Sequence, residues 1–182
     1  MGTSTQINKH FVNYSQSDNT LLFLHGFLGY SDDWLSCIQV LENQFNILSF
    51  SLYQLIDDLE NVNFDTVCEK INNECLVRGV KNPVLIGYSL GGRIAFEYAY
   101  RYPETISGLF IESAHYGFKS IDTQTKEQYL VQHNERLNQL KNLSLTCFIE
   151  NWYKQSLFKQ SHLCLSADQI LNKSKLSKHH LI

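Results

Sequence analysis

The sequence predicts an α/β protein: a mostly parallel sheet with helices on both faces, to which a helical cap is appended. Two observations carry this. Between residues 20 and 112, short apolar runs of strand length alternate with segments of helical periodicity. From Thr123 onward helical segments continue without a convincing strand. The expected organisation is a core over residues 1–118, followed by a cap and polar tail over residues 119–182.

Taken in order, Ile7 to Tyr14 reads as an outer strand, and Thr20 to His25 (TLLFLH) as a buried parallel strand ending at Gly26. Asp32 or Asp33 is expected to cap the next helix, along which Trp34, Ile38, Leu41 and Phe45 recur at helical spacing. Asn46 to Leu52 is the next strand. Phe64 to Arg78 is a helix with Phe64, Val67, Ile71 and Cys75 on one face, stopped by Gly79. Pro83 to Gly87 is a strand, Leu90 to Tyr102 a helix ended by Pro103, and Ile106 to Glu112 a strand. Thr123 to Leu140 and Leu143 to Leu157 are helices, and Ser161 to Ile182 reads as a solvated tail.

Composition narrows the function classes. The chain has 182 residues, 43% of them apolar, and a formal net charge of −3. That suits a core-forming domain and argues against a nucleic-acid partner, whose phosphates call for a basic surface. No apolar run approaches the roughly 20 residues of a membrane span. Five cysteines, with no C-x-x-C pair and a polar start, are expected to be reduced thiols in a cytoplasmic protein. No Cys/His cluster has zinc-ligand spacing, so zinc is not expected.

Gly87-Tyr88-Ser89-Leu90-Gly91 fits G-x-S-x-G, the nucleophile elbow of α/β-hydrolases. The chain must turn from strand to helix so sharply that the serine is strained, and small neighbours let backbones approach. The Ser89 hydroxyl is thereby lifted above the sheet at a helix N-terminus, which favours developing negative charge. A bare G-x-S-x-G is common, but here VLIG precedes it as a strand and GGRIAFEYAY follows as a helix. His25-Gly26-Phe27-Leu28-Gly29, after the first core strand, is the expected second half of an oxyanion hole. Its donors would be the backbone N–H groups of Phe27 and Leu90, and His25 would be structural.

HGFLGYSDDW, GYSLGGRIA, IESAHYGF and FIENWYKQSLF together resemble the 2-succinyl-6-hydroxy-2,4-cyclohexadiene-1-carboxylate synthases of menaquinone biosynthesis, from about residue 20 to about residue 158. The resemblance implies an α/β-hydrolase-fold lyase that removes pyruvate from a succinyl-cyclohexene dicarboxylate without a cofactor. It implies Ser89 as the triad serine that starts proton abstraction, with Tyr88 and Arg93 beside it. Arg93, four residues after Ser89, can share its helix face, and a guanidinium suits a carboxylate-rich substrate. Arg136, Trp152 and Tyr153 would come from the cap. Arg136 reads equally well as a carboxylate ligand or a surface arginine, and Trp152 and Tyr153 as packing or as recognition. His115 reads as a loop histidine.

Two departures from the family pattern matter. Ser51-Leu52-Tyr53-Gln54 stands where the family has a Pro-Gly-His-Gly loop, and Tyr53 is expected to fill that space. In addition, the chain is expected to be C-terminally truncated. The last strands of such a fold, which bear the triad acid and histidine, are not found, although such chains run to roughly 250 residues. Asp168 precedes His179 and His180 in the right order, but no strand separates them. Little activity is therefore expected of the chain alone, with self-association through the unpaired edge 106–112. Two further readings stay open: a serine esterase or thioesterase, and a non-catalytic remnant.

Overall fold

The computed structural model describes residues 10–13, 18–115, 117, 122–159, 167–176 and 181. The chain divides into two compact units, residues 1–116 and 117–182. The first holds a five-stranded sheet of order β1-β3-β2-β4-β5. Its strands are β1 (His10–Asn13), β2 (Thr20–Leu24), β3 (Asn46–Phe50), β4 (Val84–Tyr88) and β5 (Gly108–Glu112). β1 runs antiparallel to β3, and the other pairings are parallel.

The central strands have no polar face because both sides are covered. All five residues of β2 are buried. On one face Leu21, Phe23 and Ile47 pack with Ile38 of α1 (Leu35–Leu41), against Trp34, Val84 and Ile86. By strand alternation Leu22, Leu24, Leu48, Phe50 and Leu85 line the other face. Helix α4 (Leu90–Arg101) packs on β2, β4 and β5, and against the helix over Phe64–Val77, which is α3 after the short α2 (Leu52–Leu55). Burying each such side chain contributes roughly 2 kcal/mol.

Several sequence expectations shift. Strands β2 to β5 begin or end one or two residues from their expected limits, β1 lies within the expected Ile7–Tyr14, and Phe45 lies beyond α1. Asp33 is not an N-cap: its carboxylate accepts from the Tyr30 N–H at 3.1 Å, at the third position of a 3₁₀ turn over Ser31–Trp34. Gly79 does supply the positive φ (+67°) that ends α3.

In the second unit the described elements are helical: α5 (Thr123–Asn142), α6 (Leu145–Tyr153), α7 (Ser156–Lys159) and α8 (Ala167–Lys173). Asp122 and Ser144 cap α5 and α6 through side-chain oxygens. Helix α8 corrects the expectation of a solvated tail. Lys173 is buried, its ammonium 6.0 Å from the Tyr153 ring centroid, and α8 packs on α6. A lysine stem covers apolar surface well, and an aromatic face accommodates its charge. His179 and His180, the bases considered for a tail triad, lie outside the described residues. Among the described residues no helix is long and apolar enough to cross a membrane.

Cys68 and Cys75 are buried in α3, and burial pushes both thiols up to about 12. Cys37 and Cys147 are exposed. Iodoacetamide at about pH 8 is expected to alkylate Cys37 and Cys147 within minutes and to leave Cys68 and Cys75 unmodified until urea unfolds the chain, as read by peptide mass mapping.

Candidate active site

Among the described residues four non-glycine residues have positive φ: Leu28, Asn82, Ser89 and Ser113. Ser89 and Ser113 directly follow the carboxyl ends of β4 and β5, and Leu28 lies in the loop after β2, at the end of a parallel sheet where ligands bind. Such backbone strain costs of order 1–3 kcal/mol per residue and gathers at functional sites.

Ser89 has φ 51° and ψ −110° and occupies the N-cap of α4. Its N–H donates to the Glu112 carbonyl at 2.9 Å, and its own carbonyl accepts from Arg93 N–H at 3.1 Å. The turn is this tight because three glycines leave room. A Cβ on Gly87 would stand 2.6 Å from both the Gly91 carbonyl oxygen and Gly92 Cα. One on Gly91 would overlap the Leu24 carbonyl, and one on Gly92 would lie 2.6 Å from Ala114 Cβ. Ser89 is only half-buried, and among the described residues its hydroxyl makes no hydrogen bond. Leu90, the second expected oxyanion donor, is the first residue of α4.

The loop after β2 comes up against this elbow. A Cβ on Gly26 would lie 2.8 Å from Tyr88 Cδ1 and 3.5 Å from Ser89 Cβ. Residues 26–29 form a turn closed by Gly29 N–H donating to the Gly26 carbonyl at 2.9 Å, with positive φ at Leu28 as in a type II turn. Leu28 N–H donates to the Tyr53 hydroxyl at 2.8 Å, and Tyr53 is buried. That amide is therefore committed to the scaffold.

His25 is 1% exposed. Its Nε2 accepts from Leu52 N–H at 2.9 Å, so the ring is neutral, with the proton on Nδ1 donated to the Gly26 carbonyl at 2.8 Å. Both nitrogens serve the loop, and the His25 ring stands 5.5 Å from that of Tyr53. The Tyr53 contact had a partial signal in the sequence, its departure from the family loop. The bond to Leu28 spans 25 residues and had none.

Arg93 lays its guanidinium over the Phe64 ring, 5.3 Å from the centroid, and has no carboxylate partner among the described residues. Arg78 and Arg101, by contrast, are neutralised by Glu74 and by Glu97 with Asp65. In the second unit Arg136 stacks 5.2 Å over Trp152 and donates to Gln155 Oε1 at 3.2 Å. Trp152 and Tyr153 both pack on Phe158. These three cap residues thus form one cluster within their own unit. His115 sits half-buried in the loop after β5. Among the described residues no three His, Cys, Asp or Glu side chains converge as metal ligands would.

The model of the alpha/beta hydrolase fold family matches residues 19–140. A putative 2-succinyl-6-hydroxy-2,4-cyclohexadiene-1-carboxylate synthase of Haemophilus influenzae is 33% identical over 150 residues, covering 79% of this chain and 58% of that protein. The synthase of Yersinia pestis is 26% identical over 140 residues, covering 76% and 51%. The chain therefore spans little more than half the length of these curated relatives. Among solved structures, MenH from S. aureus superposes with a TM-score of 0.78 at 24% identity, covering 96% of this chain and 68% of that one. A putative lipase from Acinetobacter baumannii gives 0.70 at 21%, covering 97% and 59%. At these identities the solved structures establish the fold.

Two substitutions test the geometry. Gly91→Ala is expected to cost about 3 kcal/mol, because the helix must move off a backbone carbonyl. Gly108→Ala, whose Cβ would meet only Val84 methyls at 3.5 and 3.7 Å, should be neutral or stabilising by about 0.5 kcal/mol. Urea titration reads both. Tyr53→Phe leaves the buried Leu28 N–H without its acceptor, so a loss of about 1–2 kcal/mol is expected, with faster hydrogen exchange at the Leu28 amide and little change at core amides.

Proposed function

The chain belongs to the α/β-hydrolase-fold family, and from that membership we propose that it carries the nucleophile half of a menaquinone-pathway lyase site, one that eliminates pyruvate from a succinyl-cyclohexene dicarboxylate. The observation that carries the reading is the strained, glycine-lined turn at Ser89, with Arg93 following it on α4 and, among the described residues, paired with no acid. The names of the Haemophilus and Yersinia relatives support the substrate class.

In this reading Ser89 relays a proton from the carbon beside the succinyl ketone. The negative charge that develops on the ketone oxygen meets the N–H groups of Phe27 and Leu90 and the positive end of α4. The electron pair then breaks the bond between the ring carbon and the leaving oxygen, and the pyruvate enolate that departs takes up a proton to become pyruvate. Leu28 is excluded as a donor, since its amide holds the loop to Tyr53. Arg93 takes a carboxylate, and Tyr88 lines the approach to Ser89. Arg136, Trp152 and Tyr153 belong to substrate recognition only in so far as the cap presents them. A serine needs a base, and none of the described residues hydrogen-bonds to Ser89 Oγ. The base is assigned to residues beyond those described.

Binding is separable from turnover, so it gives the sharper test. A stable benzoate bearing a succinyl chain is expected to bind in isothermal titration calorimetry. Arg93→Met should weaken it about 10- to 100-fold, the worth of a charge-assisted hydrogen bond. Ser89→Ala should leave binding nearly intact while removing whatever pyruvate release a coupled lactate dehydrogenase assay detects. Unchanged affinity in Arg93→Met removes the carboxylate role. Ser89-dependent cleavage of neutral p-nitrophenyl esters, with no dicarboxylate binding, replaces the lyase by an esterase.

A further inference from the structure

We propose that Phe64 is a positioning residue for Arg93: its ring holds the guanidinium in the plane that receives a substrate carboxylate edge-on. The inference rests on the carboxylate role given to Arg93 above. The guanidinium carbon stands 5.3 Å from the Phe64 ring centroid, inside the roughly 6 Å over which a ring face attracts a cation. Both residues are half-buried. Arg93 belongs to the turn that Ser89 opens, its N–H donating to the Ser89 carbonyl at 3.1 Å.

Two sets of contacts fix the ring where Arg93 needs it. The first is local. Phe64 opens α3 between Asn63 and Thr66, which cap each other reciprocally. Asn63 Oδ1 accepts from Thr66 N–H at 3.0 Å, and Thr66 Oγ1 accepts from Asn63 N–H at 3.1 Å. The Thr66 hydroxyl in turn donates to the Asn61 carbonyl at 2.9 Å. The second is the seam between α3 and α4. One turn after Phe64, the Cys68 thiol donates to the Ile94 carbonyl at 3.8 Å. One turn further, Tyr98 O–H donates to Asn72 Oδ1 at 3.1 Å. The backbones that carry the ring and the guanidinium are therefore held in register.

Phe64 continues the buried stripe of Val67, Cys68, Ile71 and Cys75, yet is itself only half-buried. An aliphatic side chain would finish that stripe as well; what a ring adds is a face for a cation. The adjoining acid, Asp65, is engaged by Arg101, which also binds Glu97. An ion pair at Arg93 would have to break for each incoming ligand, and a guanidinium held by nothing would range over many rotamers. Face-on stacking restricts the side chain and leaves its N–H edge to make two parallel bonds to a carboxylate.

Calorimetric titration with the succinyl-bearing benzoate reads the effect. Phe64→Leu is expected to weaken binding about 2- to 5-fold, the range of an exposed cation–π contact, and Phe64→Tyr to restore it. Phe64→Glu, an acid favoured in the first turn of a helix, should weaken binding at least as far, by pairing with Arg93. In an Arg93→Met background Phe64→Leu should have no further effect, which separates positioning from a structural role. Without ligand, the order parameter of the Arg93 Nε–Hε bond from nitrogen-15 relaxation should fall in Phe64→Leu and recover in Phe64→Tyr, while that of Arg136 stays constant. Undiminished affinity in Phe64→Leu where Arg93→Met loses it overturns the positioning role alone. So does an equal loss from Phe64→Leu in both backgrounds, or an Arg93 order parameter indifferent to residue 64. Unchanged affinity in Arg93→Met overturns it together with the carboxylate reading. If Phe64→Leu does not fold, Phe64→Met carries the same comparisons.

Discussion

The first turn of α4 lies so close to the ends of β2 and β4 that no side chain fits between them, and the candidate site depends on that approach. Gly91 rests on the Leu24 carbonyl, and Gly87 on the backbone of Gly91 and Gly92. The chain can make this crossing only by forcing Ser89 to φ 51°. The strain is of order 1–3 kcal/mol. It is offset by what α4 buries beyond the turn: Ile94, Ala95 and Tyr98 are each at most 5% exposed, at roughly 2 kcal/mol for a large apolar side chain. Loosening the helix would relax the serine, so packing several residues away controls where the hydroxyl points.

The loop facing Ser89 is fixed by different means. Apolar burial cannot orient a four-residue turn, whose main-chain groups must each find partners. Three of them are met by side chains or by the turn itself. The Gly26 carbonyl takes both the Gly29 N–H and the His25 ring proton, and Leu28 N–H goes to Tyr53. The same His25 ring ties the loop to α2 through Leu52 N–H. Protonating Nε2 would break that tie, so the His25 ring serves in this chain as a strut.

Much of this was legible in the sequence because its causes are steric or periodic. A serine between glycines, after an apolar strand and before an amphipathic helix, has few conformations open to it, and the parallel core showed as runs of apolar residues. What escaped was long-range or marginal. Strand limits moved by a residue or two, because ladder hydrogen bonds and not hydrophobicity set them. The short helix Leu52–Leu55 went unread, with Leu52 placed at the end of a strand and Tyr53 and Gln54 in a loop. The reciprocal role of Asp33 at a 3₁₀ turn is indistinguishable by composition from a cap. Helix α8 was missed because the lysines of the tail suggested solvent, while Lys173 buries its stem beside Tyr153. Neither the Tyr53–Leu28 bond nor the resting places of Arg93 and Arg136 has a local signature.

Those resting places bear on chemistry more than their lack of signature suggests. The four arginines of this chain divide by partner. Arg78 and Arg101 meet carboxylates, whereas Arg93 and Arg136 lie over Phe64 and Trp152. An arginine already paired with an acid must break that pair to bind a ligand's carboxylate, and the exchange returns little. A guanidinium held by its face against a ring keeps its plane fixed while its N–H edge remains available for a bidentate contact. The ring supplies about 0.5–1 kcal/mol at an exposed site, enough to restrict the side chain but not to discharge it. For Arg93, on the helix that begins at Ser89, the outcome is a guanidinium oriented by the Phe64 ring and, among the described residues, with no carboxylate beside it.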